Sequence, residues 1–387
     1  MKKSLLALAV LSSFASAAFA QSNVTIYGIL DVAVVDSTNQ GGKSNTYLGN
    51  GNLSGSRLGF TGTEDLGGGT KAVWVLENGM NVATGAQSSS TSLFNRSAYV
   101  GLTDRNLGSL LLGRQYTPYY LYVGGISSTT TIISGATGAH PGDLDDLDVS
   151  LRNNNAVTYS SPLFSGAQVS AMYALGGIAG NFTAGETVSA AFKYNISAWN
   201  FAVGYQRLDS GTPSGSYSTA SSAGFVGGAG INGGYSSADN VEMIAAGLRY
   251  NADHYMVGLS CSNVDYNPGA GSLFKETEKL DSFGIFGTYN PTTAITLGAG
   301  YSHTAANSAN RISDAAKYDQ LSLAQTYTMS KRTTLYLLEG YQRASGQKLN
   351  SIGAIVDAVA SVGDSQNGTP SSGGSQTVLM AGIRHSF

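Results

Sequence analysis

The chain has 387 residues, with 51 Gly and 22 Tyr but only 7 Pro and 1 Cys, and its charged residues make up 12%, about half the share of an ordinary soluble domain. The net charge is −3, or −5 once Lys2 and Lys3 are set aside with a leader, which is too mild for nucleic-acid binding. The lone Cys261 excludes a disulfide within the chain, and beyond the N-terminus no apolar run reaches the ~18 residues that a spanning helix needs.

Met1-Lys2-Lys3, the apolar stretch Leu5 to Leu11 and Ala18-Phe19-Ala20 have the charged, apolar and small-x-small order of a secretory signal peptide. Cleavage is expected after Ala20, leaving 21–387 as one domain. From Val24 onward almost every segment alternates with a period of two. Val24, Ile26, Leu30, Val32 and Val34 oppose Thr25, Tyr27 and Asp31. Leu58 and Phe60 oppose Arg57, Gly59 and Thr61, and Ala72, Trp74 and Leu76 oppose Lys71 and Glu77. The stretch 93–116 alternates least cleanly, which places it against a neighbouring subunit rather than lipid. Further on, Trp199, Phe201, Val203 and Tyr205 oppose Asn200, Ala202, Gly204 and Gln206, and Ile295, Leu297, Ala299 and Tyr301 oppose Thr296, Gly298, Gly300 and Ser302. The last twelve residues, Gln376 to Phe387, form one more such strand, with Thr377, Leu379, Ala381, Ile383 and Phe387 on one face and Arg384 on the other. A soluble sandwich accounts for alternation equally well, so the connections decide.

Those connections fall into two groups. Seven are short turns, such as Asp104-Arg105-Asn106, Asn195-Ile196-Ser197 and Asn290-Pro291-Thr292; eight are long loops near 36–54, 79–92, 117–152, 176–186, 209–240, 265–280, 304–316 and 344–375. Aromatics such as Trp199, Tyr250, Tyr255 and Tyr289 sit near strand ends. About sixteen strands with loops sorted by side and aromatics at the rims predict an all-β fold, a transmembrane antiparallel β-barrel with short periplasmic turns and long extracellular loops.

Several segments resemble the trimeric general-diffusion porins of Gram-negative bacteria, in particular the beta-proteobacterial, neisserial-like branch. They are Val24-Thr25-Ile26-Tyr27-Gly28 with Asp31, Ser56-Arg57-Leu58-Gly59-Phe60, Gly62-Thr63-Glu64-Asp65-Leu66-Gly67, Phe94-Asn95-Arg96, Ala98-Tyr99-Val100-Gly101-Leu102, Leu112-Gly113-Arg114-Gln115 and Gly382-Ile383-Arg384-His385-Ser386-Phe387. The resemblance implies a homotrimer in the outer membrane, in contact with the lipid bilayer and lipopolysaccharide. It implies assembly by the barrel-assembly machinery with Phe387 as the signal, and a water-filled pore for ions and small hydrophilic solutes. It also implies that the third loop, from Tyr116 to about Arg152, folds into the lumen and narrows it.

On the wall, Arg57 faces the lumen by parity, and the resemblance puts Arg96 and Arg152 in the basic ladder; Arg114 is a weaker candidate on its poorly alternating strand. Asp143, Asp145, Asp146 and Asp148, four carboxylates within six residues, are the candidate acidic side of the neck. Asp31, Glu77 and Glu339 also face the lumen by parity. Acids opposite guanidiniums set a field across a narrow aqueous neck. If about two of the four loop acids point inward, three arginines leave a weak anion preference, and Asp145→Asn with Asp146→Asn strengthens it. No cofactor or metal is expected, because the four His are scattered. Gly228-Ala229-Gly230-Ile231-Asn232-Gly233 matches the dinucleotide fingerprint but lacks a strand before it and a helix after it. No nucleophile–base set argues for a hydrolase. The alternatives left open are a substrate-specific or gated channel, or an adhesin acting through its loops.

Overall fold

The computed structural model describes residues 23–148, 151–211, 231–364 and 371–387; the expected leader and residues 228–230 of the glycine fingerprint lie outside them. In chain order the strands are β1 Asn23–Gln40, β2 Lys43–Asn50, β3 Arg57–Gly67, β4 Thr70–Gly79, β5 Ser97–Asp104, β6 Gly108–Gln115, β7 Asn153–Ser160, β8 Ala167–Ala174, β9 Thr187–Ile196, β10 Trp199–Asp209, β11 Ala238–Asn251, β12 Tyr255–Pro268, β13 Glu278–Tyr289, β14 Ile295–Ala306, β15 Lys317–Thr328, β16 Thr333–Ser345, β17 Gln347–Leu349, β18 Ile355–Asp357 and β19 Ser375–Ser386. Neighbours pair antiparallel, and β1 pairs with β19 through Ile29↔Ser386 to Ser37↔Val378, which closes the barrel.

β1 serves two partners on its other side. Its first half pairs with β3, from Asn23↔Thr63 to Ile29↔Arg57, and its second half with β2, from Val32↔Asn50 to Ser37↔Asn45. β2 and β3 therefore share one position, and the barrel has sixteen; β17 and β18 are a separate small hairpin inside the eighth loop. The expected long loop at 36–54 is thus largely strand. β1 runs on to Gln40 and turns back at Gly41 and Gly42, both at positive φ (57° and 89°), as a two-residue hairpin requires.

The alternation sorts the faces. Val24 and Ile26 are 62% and 61% exposed on the outside, whereas Asp31, Ala33 and Val35 are buried inside. A closed barrel leaves no free edge, so every strand meets the bilayer with its backbone paired. Outward rings of Trp199 and Tyr250 lie 4.7 Å apart and those of Tyr250 and Tyr255 6.1 Å apart, at the turn end of β10–β12. The irregularity near 93–116 has a local cause: Gly113 has φ 135°, and the β6–β7 register shifts between Gly113 and Gln115.

Glu339 does not face the lumen. On β16 the buried, inward residues are Tyr336, Leu338 and Gln342, and Glu339 sits outside between Leu323 and Leu379, which are 41% and 43% exposed. The run Leu335-Tyr336-Leu337-Leu338 is apolar on both faces, because Tyr336 and Leu338 pack inside the barrel. Parity in that strand had no polar face to mark the lumen.

The C-terminus locks onto the first strand. Gly28 N–H donates to Phe387 O and Phe387 N–H donates to Gly28 O, each at 3.1 Å. The Phe387 ring covers Gly28 so closely that a Cβ there would collide with it.

Candidate functional site

The third loop, described over 116–148 and 151–152, lies inside the barrel against β9–β16. It is built of short helical turns, the first of which, Pro118–Tyr122, begins with Thr117 Oγ1 accepting from Tyr120 N at 3.1 Å. Its side chains seat on inward glycines of successive strands: Tyr119 and Val123 on Gly204, Ile126 on Gly247, Ile132 and Ile133 on Gly298, and Thr137 on Gly340. A Cβ at Gly204, Gly247 or Gly298 would press on the loop, and one at Gly340 would collide with Val362 of the eighth loop. The small residues of the lumen faces are thus the bed of the loop.

Three of the four loop acids do not face the pore. Asp143, Asp145 and Asp146 are fully buried. Asp145 Oδ2 meets His140 Nδ1 at 2.5 Å and also accepts from Ser262 Oγ of β12. Asp146 Oδ2 accepts from Gln206 Nε2 of β10 at 3.0 Å, and its Oδ1 accepts from Leu151 N at 2.9 Å. Asp143 Oδ1 accepts from Asp148 N at 2.8 Å. The reason is turn chemistry: Gly142, Asp143 and Asp146 sit at φ 67°, 52° and 53°, so the acidic run coils tightly and its carboxylates cap its own N–H groups and hook the wall. Burial raises Asp145, but the His140 charge and hydrogen bond outweigh it and hold the carboxyl below its ordinary range. Burial also drives Asp146 well above its ordinary range, with the Asp143 charge adding to it. Burial lowers His140, but the Asp145 charge and hydrogen bond raise it on balance.

The space left beside the loop is a cavity of about 1100 Å³. Arg57 of β3, Arg96 ahead of β5 and Arg152 ahead of β7 line it. Glu77 organises the first two: Arg96 Nε lies 2.6 Å and Arg57 Nη1 3.9 Å from its Oε1, and Tyr27 Oη donates to its Oε2 at 2.9 Å. Arg57 Nε donates to Gly55 O at 2.8 Å. Tyr116 separates the other pair, with the Arg96 and Arg152 guanidiniums 6.0 Å and 5.2 Å from its ring centroid and Arg152 Nε donating to Tyr116 Oη at 3.2 Å. Contacts of this kind hold like charges on one wall.

Arg114 is not among the cavity lining. Its Nε donates to Asn95 O at 2.7 Å, and its Nη1 donates to Asn154 Oδ1 at 2.6 Å and Arg152 O at 3.2 Å, so it staples the strand ends that carry Arg96 and Arg152. Arg114 has the parity of Leu110 and Leu112, which face outward, and past the register shift after Gly113 it turns to these strand ends rather than to the pore. Asp31 is inside but covered: it accepts from Leu53 N at 3.1 Å, Ser54 N at 2.8 Å and Tyr336 Oη at 2.6 Å, which pins 51–56 to the wall.

Sequence reasoning passed over several lining residues, Arg249, Arg384, Tyr116 and Asp364 among them. Arg249 and Arg384 carry the right parity and were legible, each being the charged member of an inward face. Tyr116 and Asp364 were not, since no spacing links a loop root to an arginine or the eighth loop to the third. The segment 358–364 enters the barrel, where Gly363 O accepts from Gly142 N at 2.8 Å, Gly363 N donates to Gln320 Oε1 at 3.0 Å and Asp364 N donates to Gly135 O at 3.1 Å. Among the described residues the lining thus carries five arginines and two aspartates, Asp148 and Asp364, a formal excess of three positive charges if both aspartates are ionised.

Comparison with known proteins matches residues 7–347 to the family of Gram-negative porins. An outer membrane porin of Delftia acidovorans, outer membrane porin protein 32, is 30% identical over 399 aligned residues, covering 100% of both chains. An outer membrane porin of Bordetella pertussis is 30% identical over 320 residues, 79% of this chain and 70% of its own. Among solved structures, the anion-selective porin from Comamonas acidovorans superposes with TM-score 0.71 at 22% identity, covering 95% of this chain and 100% of its own. The trimer form of OmpT from Vibrio cholerae superposes with TM-score 0.64 at 16% identity, covering 95% and 99%.

Proposed function

The chain belongs to the Gram-negative porin family, and on that premise we propose that its neck passes small hydrophilic solutes without a fixed substrate and favours anions. It is an outer-membrane porin, a water-filled channel for passive passage. The observation that carries the finer reading is the cavity wall, where five arginines meet two aspartates. The Comamonas acidovorans porin whose structure superposes on this chain is anion-selective, which agrees in sign. A substrate-specific channel typically shows a run of lumen-facing aromatics for its ligand to slide along, and the only aromatics of the described lining are Tyr116 and Tyr120, adjoining at the loop root. In planar bilayers we expect a fixed conductance without ligand block and a chloride-favouring reversal potential in a potassium chloride gradient. Block by one solute class would overturn the unspecific reading.

The proposal extends to a homotrimer assembled through Phe387. The outer faces of β5 and β6, with Val100, Leu102, Leu110 and Leu112 exposed, supply the apolar contact area. The Phe387 ring contributes about 2 kcal/mol of burial, little beside a closed barrel, so its role belongs to assembly. Unheated gels of outer-membrane fractions should show a trimer band for the full chain and a depleted one after Phe387 deletion. Monomer alone in the first lane, or an undiminished band in the second, would refute the corresponding half.

A further inference from the structure

Two loops meet in the neck. Gly135 of the third loop is their contact point: the Asp148 carboxyl packs against its Cα where no Cβ would fit, and its carbonyl accepts from Asp364 N of the eighth loop at 3.1 Å. Both acids therefore meet at one point of the cavity, close enough for each to feel the other's charge. Two ionised carboxylates have only acceptors, so a hydrogen bond between them requires a proton. Both residues line the cavity that Arg57, Arg96 and Arg152 line. The charged and titratable groups around the pair are Asp143, Tyr120 and Arg152 of the third loop, Tyr47 of β2, and Arg96 across the neck.

We propose that Asp148 and Asp364 act as one proton-sharing acid that sets how strongly the neck favours anions. The proposal rests on the reading of this cavity as the selective neck. Near neutral pH the pair carries about one negative charge rather than two, since like carboxylates at contact do not both ionise. Burial first, then the Asp364 charge, hold Asp148 well above the ordinary carboxylate range. Acidification neutralises the remaining charge and leaves the arginines less opposed, so anion preference rises as pH falls. Alkaline solution removes the shared proton, adds a negative charge and weakens the preference.

The test is the reversal potential in a salt gradient across a pH series, for the unmodified trimer, Asp148→Asn, Asp364→Asn and the double variant, with Arg57→Ser/Arg96→Ser alongside. A shared proton means that removing either acid leaves the other ionised against an amide donor. Each single variant should therefore shift the neutral value far less than the double variant, which moves it toward anions and flattens the pH series. Equal single shifts that add up in the double variant would mean two separate charges and overturn the proposal. So would an unmodified channel whose selectivity ignores pH, a measurement that needs no variant to assemble. If the arginine pair shifts the potential while the aspartate series does not, this proposal alone fails. If both are silent, the neck itself has been misplaced.

Discussion

Replacing Arg57 and Arg96 together by serine is expected to raise single-channel conductance and swing the reversal potential toward cations. The size of the effect comes from Glu77. With both arginines present, the trio of Arg57, Arg96 and Glu77 carries one net positive charge, and the carboxylate is held by contacts of 2.6 Å and 3.9 Å. Without them Glu77 keeps only the Tyr27 hydroxyl at 2.9 Å, and the local charge becomes negative. The sign changes, not merely the amount. In bulk salt this would be muted beyond a Debye length of about 8 Å, but a solute in the neck passes closer than that and in confined water. At about 4 Å a unit charge acts with roughly 1 kcal/mol in water and about 4 kcal/mol at the lower dielectric near a protein surface. Two long side chains also leave the neck, which widens it. Arg57→Ser alone should do less, since Arg96 remains on Glu77. A reversal potential that stays put in the double variant would show that these side chains do not line the path.

The expectation that Asp145→Asn and Asp146→Asn would strengthen anion preference does not survive the structure, and the reason marks where the sequence stops being legible. Strand parity carried the barrel, because a period of two has only two answers and the apolar face chooses between them. It failed where that choice had no contrast, as at Glu339 with apolar residues on both faces, and Arg114 was placed on the wall against it, since its parity is that of the outward Leu110 and Leu112. The acidic run obeys no period. Its composition announced charge in the lumen, but direction depended on positive-φ turns at Gly142, Asp143 and Asp146 and on Gln206 and Ser262, brought near only by the fold. Asp364 is the opposite case, a residue with no local signal that the eighth loop delivers to the neck.

Asp145→Ala is expected to free the third loop within an intact barrel. The carboxylate is fully buried, meets His140 Nδ1 at 2.5 Å and accepts from Ser262 on the wall, so it joins the loop to itself and to β12. Removing one member of a buried ion pair strands the other, at a cost of about 3–5 kcal/mol. The barrel's closed ladder does not depend on it, so the loss falls on the loop. We expect trimers of normal heat-modifiability whose current is noisy and visits larger substates, with protease cutting near 139–148. Asp145→Asn, which keeps an acceptor for His140 and Ser262, should be milder. The pH dependence follows from the two shifts. His140 is raised, so its contribution is full below its ordinary value of 6.5 and is lost as pH rises through its folded value. Asp145 is lowered, so its contribution is present above its ordinary value of 3.8 and is lost only as pH falls through its folded value. The loop is therefore held best between those limits, and the unmodified channel should grow noisy on the alkaline side, where Asp145→Ala is noisy already. This noise is distinct from the selectivity shift of the Asp148–Asp364 pair, since one is read in current fluctuation and the other in reversal potential. A quiet, unchanged current from Asp145→Ala would show that the glycine bed alone holds the loop, and that the buried pair adds nothing to its anchorage.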